Sequence, residues 1–288
     1  MREEDVEGLR IATFGTGPRL VIAVHGITAS LMAWAAVARR LPEEWSLVAM
    51  DLRGRGHSRD LPGPYGLPRH ADDVLRVAEH VGAGPDTVLA GHSMGAYVAV
   101  LAGARRPFGK VVLVDGGLPF PPLPPGTDVD AVMEATLGPA VARLSQTFAT
   151  ADDYVAFFKA HPAFAGQWTP EAEEYVRYDL VGEPGELRSR AVGAAVREDG
   201  RWLRLNGDAV GAALAAVQAP TTLLRAPRGL LNQDVGMLPD ALAAEWTARV
   251  PGLREELVPD CNHYTILFDD RCASLVAARL TEQADRLA

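Results

Sequence analysis

The chain has 288 residues, a length that fits one large α/β domain. Hydrophobic residues make up 48% and charged residues 23%, which is typical of a globular protein with a sizeable core. The net charge of −9 and the lack of a Lys/Arg cluster argue against nucleic acid or an anionic membrane surface as the main partner, because both favour a basic patch.

In chain order, short runs rich in Val, Leu and Ile alternate with longer segments of helical spacing. Most of the short runs are continuously apolar, which predicts strands of a parallel sheet that is buried on both faces. The predicted strands are Ile11–Phe14 at the edge, Arg19–His25, Ser46–Met50, Thr87–Gly91, Lys110–Asp115, Thr221–Arg225 and Arg254–Val258. The predicted helices are Ser30–Leu41, Pro68–Val81, Met94–Arg105, Pro239–Val250 and Asp269–Leu287. This alternation predicts an α/β fold with right-handed crossovers.

The alternation stops between Leu118 and about Ala216. This segment opens with the proline-rich GGLPFPPLPPGTD, which cannot continue a helix or a central strand. Helical segments with many aromatic residues follow, and the strand pattern returns at APTTLLRA. We interpret residues 118–216 as a helical cap inserted into one core of residues 1–117 and 217–288. A separate small helical domain is the alternative interpretation.

The pentapeptide GHSMG, residues 91–95, joins a predicted strand to an Ala-rich predicted helix. G-x-S-x-G at such a junction is the signature of a nucleophile elbow. The glycines let strand and helix approach closely, and the serine stands in a strained turn at the helix N-terminus, where developing negative charge is favoured. Ser93 is therefore the predicted nucleophile, and a serine in an ordinary turn is the alternative.

This elbow resembles that of the α/β-hydrolase superfamily, and three other segments share the resemblance. VIAVHGITAS is similar to its oxyanion segment, and DLRGRGHS is similar to the glycine-rich loop after the next strand. VPDCNHYTILFDD has a histidine between the last strand and the last helix. The resemblance implies an α/β-hydrolase fold, with a mostly parallel central sheet, flanking helices and a cap. It covers most of the chain outside the cap.

The resemblance also implies roles for single residues. His263 is the implied general base for Ser93, and the backbone amides of Ile27 and Met94 are the implied oxyanion hole. The remaining histidines are not expected to act as the base: His25 and His57 have structural positions, the side chain of His92 must point away from that of Ser93, and His70, His80 and His161 have no constellation around them.

The carboxylate that orients the base has two candidates. The superfamily usually carries it after the strand that follows the cap, where this sequence has Gly229 and, a few residues on, Asp234. Its second arrangement has the acid at the end of the strand before the cap, where KVVLVDGG supplies Asp115. We favour Asp115 and keep Asp234 as the alternative. Either residue would orient His263 without accepting its proton.

These residues predict hydrolysis through an acyl-enzyme on Ser93. The predicted substrate is a small apolar or aromatic carboxylic ester or lactone. Candidate contacts are Gly26, Met32 and Trp34 near the oxyanion loop and Trp168 in the cap, with core packing as the alternative for the aromatic residues. The cap, the acid before it and LLRAPRGL also resemble lactone hydrolases of the zearalenone-degrading kind.

Other chemistry is compatible with the same residues. C–C bond hydrolysis, cofactor-free perhydrolysis and a small-ligand receptor with vestigial activity stay open, whereas a serine at the elbow argues against epoxide hydrolases and haloalkane dehalogenases. No cofactor is expected, and no spacing such as H-E-x-x-H predicts a metal. Neither a secretory pattern at the N-terminus nor an apolar run of the ~18 residues that span a membrane is visible. The two cysteines, Cys261 and Cys272, do not form a disulfide framework. Together with the lack of a secretory pattern, this predicts a cytoplasmic location. The oligomeric state has no sequence signal.

Overall fold

The computed structural model of the protein describes residues 1–282. The strands within this range are β1 (Arg2–Val6), β2 (Leu9–Phe14), β3 (Arg19–Val24), β4 (Trp45–Met50), β5 (Val88–His92), β6 (Lys110–Val114), β7 (Leu180–Val181), β8 (Arg188–Ser189), β9 (Thr221–Arg225) and β10 (Leu253–Leu257). The α-helices are α1 (Ala35–Ala38), α2 (Leu67–His80), α3 (Met94–Gly103), α4 (Val129–Arg143), α5 (Ala151–Lys159), α6 (Pro170–Tyr178), α7 (Gly193–Leu205), α8 (Gly207–Ala216), α9 (Asp240–Arg249), α10 (Thr265–Phe268) and α11 (Asp270–Thr281). Short 3₁₀ turns cover Leu31–Trp34, Gly56–Ser58 and Pro162–Phe164.

Eight strands form one sheet in the order β1-β2-β4-β3-β5-β6-β9-β10. Strand β2 is antiparallel to both β1 and β4, and every other neighbouring pair is parallel. Strands β4, β5 and β6 are buried along their whole length, because both faces of the sheet are covered. The predicted α/β-hydrolase fold with a mostly parallel sheet is therefore confirmed.

Alternate residues of each central strand feed two separate apolar cores. In β3, Val21 and Ala23 belong to the core that contains α1, α10 and α11, whereas Ile22 and Val24 belong to the core that contains α2 and α3. This division follows from the two-residue period of a strand, which sends successive side chains to opposite faces. The carboxyl ends of the parallel strands are left at one edge, between the two helical layers.

Helices α4 to α8 all lie between β6 and β9 in the chain, together with the hairpin of β7 and β8. The aromatic residues of this inserted segment pack on one another. Tyr154 is fully buried and forms T-shaped contacts with Phe148 and Phe158, and the ring of Tyr175 lies against that of Phe268 in α10. Core packing is thus the correct interpretation for these aromatic residues.

Several predicted elements need correction. Ile11–Phe14 is not the edge strand, because β1 pairs outside it, with Arg2 opposite Thr13. Strand β1 has the polar sequence REEDV, which carries little apolar signal because an edge strand has one free side. The predicted helix Ser30–Leu41 is a 3₁₀ turn followed by the four-residue α1.

The C-terminal prediction and the cap prediction also change. The predicted helix Asp269–Leu287 is α11, which ends at Thr281, and residues 283–288 lie outside the described range. The short hairpin of β7 and β8 was not predicted in the cap.

Cys261 and Cys272 are buried free thiols, and the neighbouring Cys272 thiol together with burial raises the pKa of Cys261.

Candidate active site

Ser93 lies at the carboxyl edge of the sheet, between β5 and α3. Its backbone φ is 55° and its ψ is −125°, a conformation that residues other than glycine rarely adopt. The glycines of GHSMG make this turn possible, since a Cβ at Gly91 would lie 2.1 Å from the carbonyl oxygen of Gly95, and one at Gly95 would lie 2.2 Å from that of Val24. The tight turn leaves Ser93 partly exposed above buried neighbours.

His263 and Asp115 meet at the same edge. Asp115 follows β6, and its Oδ2 lies 2.6 Å from Nδ1 of His263. Its other oxygen accepts from the amide of Ala226 at 3.1 Å, and its own amide donates to the carbonyl of Leu224 at 2.7 Å. A carboxylate on Nδ1 makes that nitrogen the donor, so Nε2 keeps a lone pair with which to accept a proton. Both side chains are buried.

The alternative acid lies elsewhere. Asp234 is exposed on the loop between β9 and α9. The structure therefore brings Asp115, and not Asp234, to His263. A glycine follows Asp115 because a side chain would not fit there: a Cβ at Gly116 would lie 2.3 Å from the carbonyl oxygen of Ser93. The sequence DGG thus packs the end of β6 directly against the elbow.

His92 contacts the backbone of His263, a role that the sequence analysis did not assign to it. Its Nε2 donates to the carbonyl oxygen of His263 at 2.9 Å, and the two ring centroids are 4.7 Å apart. Burial holds the pKa of His92 well below its usual value, so this imidazole is neutral. Its position next to the elbow was the only sequence signal, and that signal does not identify a contact with the C-terminal region.

Asn262 fixes the loop that carries His263. Its Nδ2 donates to the carbonyl of Ala163 in the cap at 2.8 Å and to Oδ1 of Asn232 at 3.1 Å. Its Oδ1 accepts from the amides of Tyr264 and Thr265, at 2.9 and 3.0 Å. Three segments of the chain therefore meet at the residue before His263, and sequence reasoning did not single it out.

The predicted oxyanion residues flank Ser93. A Cβ at Gly26 would lie 3.1 Å from Cβ of Ser93, so the loop after β3 passes directly beside the nucleophile and carries Ile27 there. Met94 is the first residue of α3, and the first amides of an α-helix lack intrahelical acceptors. His25 braces this loop, with Nδ1 at 2.7 Å from the carbonyl oxygen of Gly26. Burial lowers the pKa of His25 to about 3, so it is neutral and structural.

The predicted substrate contacts differ in how far they are buried. Trp34 is fully buried in the core, and Met32 is buried in the same cluster. The prediction for Trp34 is wrong, because a ring with no exposed surface offers nothing to a bound molecule. Trp168 is partly buried in the cap, where its Nε1 donates to Glu173 at 3.4 Å and its ring lies 5.4 Å from that of Phe164.

A groove of about 1240 Å³ opens at the other end of the strands, lined in part by Arg19, Trp45 and Val88. These residues stand at the amino ends of β3, β4 and β5, whereas Ser93 follows the carboxyl end of β5, so the groove is separate from the site. In the described part of the chain, no group of His, Cys, Asp or Glu has an arrangement that could hold a metal, and no helix is long and apolar enough to span a membrane.

Comparison with known proteins identifies the family of the chain. The model of the alpha/beta hydrolase family matches residues 21–278. The chain belongs to the alpha/beta hydrolase family. The hydrolase is 30% identical over 263 residues to a 2-(acetamidomethylene)succinate hydrolase from Mesorhizobium japonicum, covering 89% of this chain and 85% of the relative. It is 28% identical to the lipase LipV from Mycobacterium tuberculosis, covering 88% and 90% of the two chains.

Solved structures show the same fold. The crystal structure of an E-2-(acetamidomethylene)succinate hydrolase aligns with a TM-score of 0.76 at 24% identity, and the alignment covers 97% of each chain. At this identity, the likeness concerns the fold of the hydrolase and not its substrate.

Proposed function

We propose that the hydrolase cleaves a carboxylic ester or lactone of a small apolar molecule through an acyl-enzyme on Ser93. The observation that carries the proposal is the 2.6 Å contact between Nδ1 of His263 and Asp115, at the sheet edge where Ser93 occupies its strained turn. That contact fixes the tautomer in which Nε2 of His263 can serve as a base.

The chemistry has two halves. In the first, Oγ of Ser93 bonds to the substrate carbonyl carbon while His263 takes the hydroxyl proton, and the amides of Ile27 and Met94 receive the oxyanion. The tetrahedral intermediate expels the alcohol oxygen, which takes the proton from His263. In the second, His263 takes a proton from water, whose oxygen attacks the acyl carbon, and the acid leaves as Ser93 recovers its proton. Asp115 stays ionised and stabilises the imidazolium.

Apolar side chains beside the oxyanion loop support an apolar acyl group. A Cβ at Gly200 in α7 would lie 2.0 Å from Cε of Met133 in α4 and 3.5 Å from Cδ1 of Ile27. Two cap helices and Ile27 therefore meet next to the predicted oxyanion hole. Apolar surface of this kind favours hydrocarbon over charged groups.

Hydrolysis of an acylated C–N bond is the second candidate. It is favoured by the relative that is 30% identical over 89% of this chain, whose name describes a hydrolase of an acetamido compound. Acyl transfer to Ser93 would proceed with the same groups, with nitrogen in place of oxygen as the leaving atom.

The test compares the wild type, Ser93→Ala and Ser274→Ala on p-nitrophenyl acetate, p-nitrophenyl butyrate, a lactone panel and a set of N-acetyl and N-formyl enamides. Ser274 is the matched control, because it is exposed on α11 and its Oγ donates to the carbonyl of Asp270 one turn before it. We expect Ser93→Ala to lose turnover by at least about 10³-fold and Ser274→Ala to keep it. A fluorophosphonate should add to Ser93 alone. Wild-type protein without any Ser93-dependent rate would overturn the proposal and favour a ligand receptor.

A further inference from the structure

Three successive carbonyl groups of the oxyanion loop each face a side-chain donor. Nδ1 of His25 lies 2.7 Å from the carbonyl oxygen of Gly26, Nε of Arg55 donates to that of Ile27 at 2.9 Å, and Nη2 of Arg143 lies 3.4 Å from that of Thr28. The Gly26 carbonyl and the Ile27 N–H belong to one planar peptide unit. Holding this peptide and the next one sets both dihedral angles of Ile27, and hence the direction of its N–H.

Arg55 gets its own counter-charge from the cap. Its guanidinium is fully buried after β4, and Nη1 lies 2.5 Å from Oδ2 of Asp199 in α7. Asp199 also accepts from the amide of Gly66 at 2.5 Å and contacts Nε2 of His70 at 2.9 Å. Burial opposes ionisation of Asp199, but the charge of Arg55 and the bond with His70 keep its pKa below the usual value. The carboxylate is therefore ionised and joins the cap to the core.

Helix α7 reaches the loop through its backbone as well. Gly200, the residue after Asp199, lies against the side chains of Met133 and Ile27, since a Cβ there would lie 2.0 Å from Cε of Met133 and 3.5 Å from Cδ1 of Ile27. Because α7 sits this close, a displaced cap would withdraw Asp199 and leave Arg55 as an unpaired buried cation. Such a cation is costly and would turn to another partner, which frees the carbonyl of Ile27.

We propose that Asp199 of the cap is a positioning residue for the oxyanion hole, which acts through Arg55 to hold the Ile27 peptide. Seating of α7 on the core then completes the site, so hydrolysis depends on the closed cap. The inference rests on the proposed function, because it takes Ile27 as a donor to the oxyanion. Asp199 itself does not touch the reacting atoms.

A second buried ion pair supplies the control. Arg53 and Asp73 form a two-pronged pair at 2.6 and 2.9 Å, and both side chains are buried. Arg53 donates its remaining hydrogen bond to the carbonyl of Pro62, which lies outside the oxyanion loop. Asp73→Asn therefore breaks a similar buried pair without touching the Ile27 peptide.

The experiment compares Asp199→Asn, Asp73→Asn and Arg55→Lys in the full chain. It measures kcat and KM on p-nitrophenyl butyrate, the inhibition constant of hexyl trifluoromethyl ketone, and the midpoint of urea unfolding. The ketone adds to Oγ of Ser93 and places an oxyanion in the hole. We expect Asp199→Asn to lower kcat and to weaken the ketone by about 10- to 100-fold each, with little change in KM.

The control defines what would overturn the inference. Asp73→Asn should lower the urea midpoint but keep kcat and ketone affinity within about threefold of wild type. Arg55→Lys keeps the positive charge but loses the forked donors of the guanidinium group. It should weaken ketone binding as Asp199→Asn does, so the test is still possible if one of the two variants does not fold. If both variants bind the ketone as Asp73→Asn does, the inference is wrong while the proposed function stands. If wild-type protein shows no Ser93-dependent hydrolysis, both fail.

Discussion

His92 and His263 lie side by side at the carboxyl edge of the sheet, with Nε2 of His92 donating to the carbonyl oxygen of His263 at 2.9 Å. The two residues belong to distant parts of the chain, β5 and the loop before α10. Their contact joins the nucleophile turn to the loop of the proposed base. We therefore expect the residue before Ser93 to position the loop of the proposed base without contacting the reacting atoms.

His92→Leu should lower kcat/KM by about tenfold or more, because it leaves a buried carbonyl without its donor, a loss of ~1–3 kcal/mol. His92→Gln keeps a donor at a similar reach and should restore most of the rate. The measurement is kcat/KM on p-nitrophenyl butyrate together with the rate of fluorophosphonate labelling of Ser93, both of which should fall in His92→Leu and recover in His92→Gln. A His92→Leu protein with wild-type values of both would exclude this role.

Asp115→Asn should lower kcat by about 10⁴-fold, because an amide no longer stabilises the imidazolium and favours the wrong tautomer of His263. Asp234→Asn is the matched control, and it should keep the wild-type rate because Asp234 is exposed on a loop. Initial rates on p-nitrophenyl butyrate distinguish the two. Equal rates for both variants would show that the acid is assigned wrongly.

Gly116→Ala should destabilise the fold and displace Ser93, because the new Cβ would lie 2.3 Å from the Ser93 carbonyl oxygen. Overpacking of this kind costs about 1–3 kcal/mol. Gly84→Ala is the control, since a Cβ there would have no atom of residues 1–282 within 4 Å. The midpoint of urea unfolding and the rate of fluorophosphonate labelling should both fall in Gly116→Ala, and neither should change in Gly84→Ala. A labelling rate that is unchanged in Gly116→Ala would contradict this account of DGG.

Asp51 should make the free energy of unfolding fall as the pH rises, which is the opposite of the usual effect of a carboxylate. Its buried carboxylate accepts from the amides of Leu31 and His57, both at 2.8 Å, and from the Tyr178 hydroxyl at 2.7 Å. Burial raises its pKa to about 6 from 3.8, against the opposing effect of these hydrogen bonds. The native state thus holds this proton more tightly than the unfolded state, so the free energy of unfolding falls as pH rises through this range.

The test is urea unfolding of wild type and Asp51→Asn at about pH 4.5 and pH 7. Between these pH values, we expect the free energy of unfolding of wild type to fall by about 2 kcal/mol more than that of Asp51→Asn. Asp60→Asn is the matched control, because that carboxylate is exposed on the same loop. A difference between wild type and Asp51→Asn that does not vary with pH would rule out the raised pKa.

Local patterns predicted the sheet well and its periphery poorly. The predicted strand Thr221–Arg225 agrees with β9 at both ends, and its Leu223 and Leu224 are fully buried in the sheet. Strand β1 was missed, because an edge strand in solvent can be polar. The hairpin of β7 and β8 has only two residues in each strand, too few for any period to show.

The sequence alone determined the α/β alternation and the elbow at Ser93, because each depends on short-range rules of burial and backbone sterics. The choice of His263 as the base came from the resemblance to the α/β-hydrolase superfamily. Only the tertiary structure decided between Asp115 and Asp234, since both are compatible with the chain and the choice depends on which strand end reaches the base. The same holds for His92 and for the link from Asp199 through Arg55 to Ile27. These contacts join residues far apart in the chain, and no local pattern encodes the packing of a cap on a sheet edge.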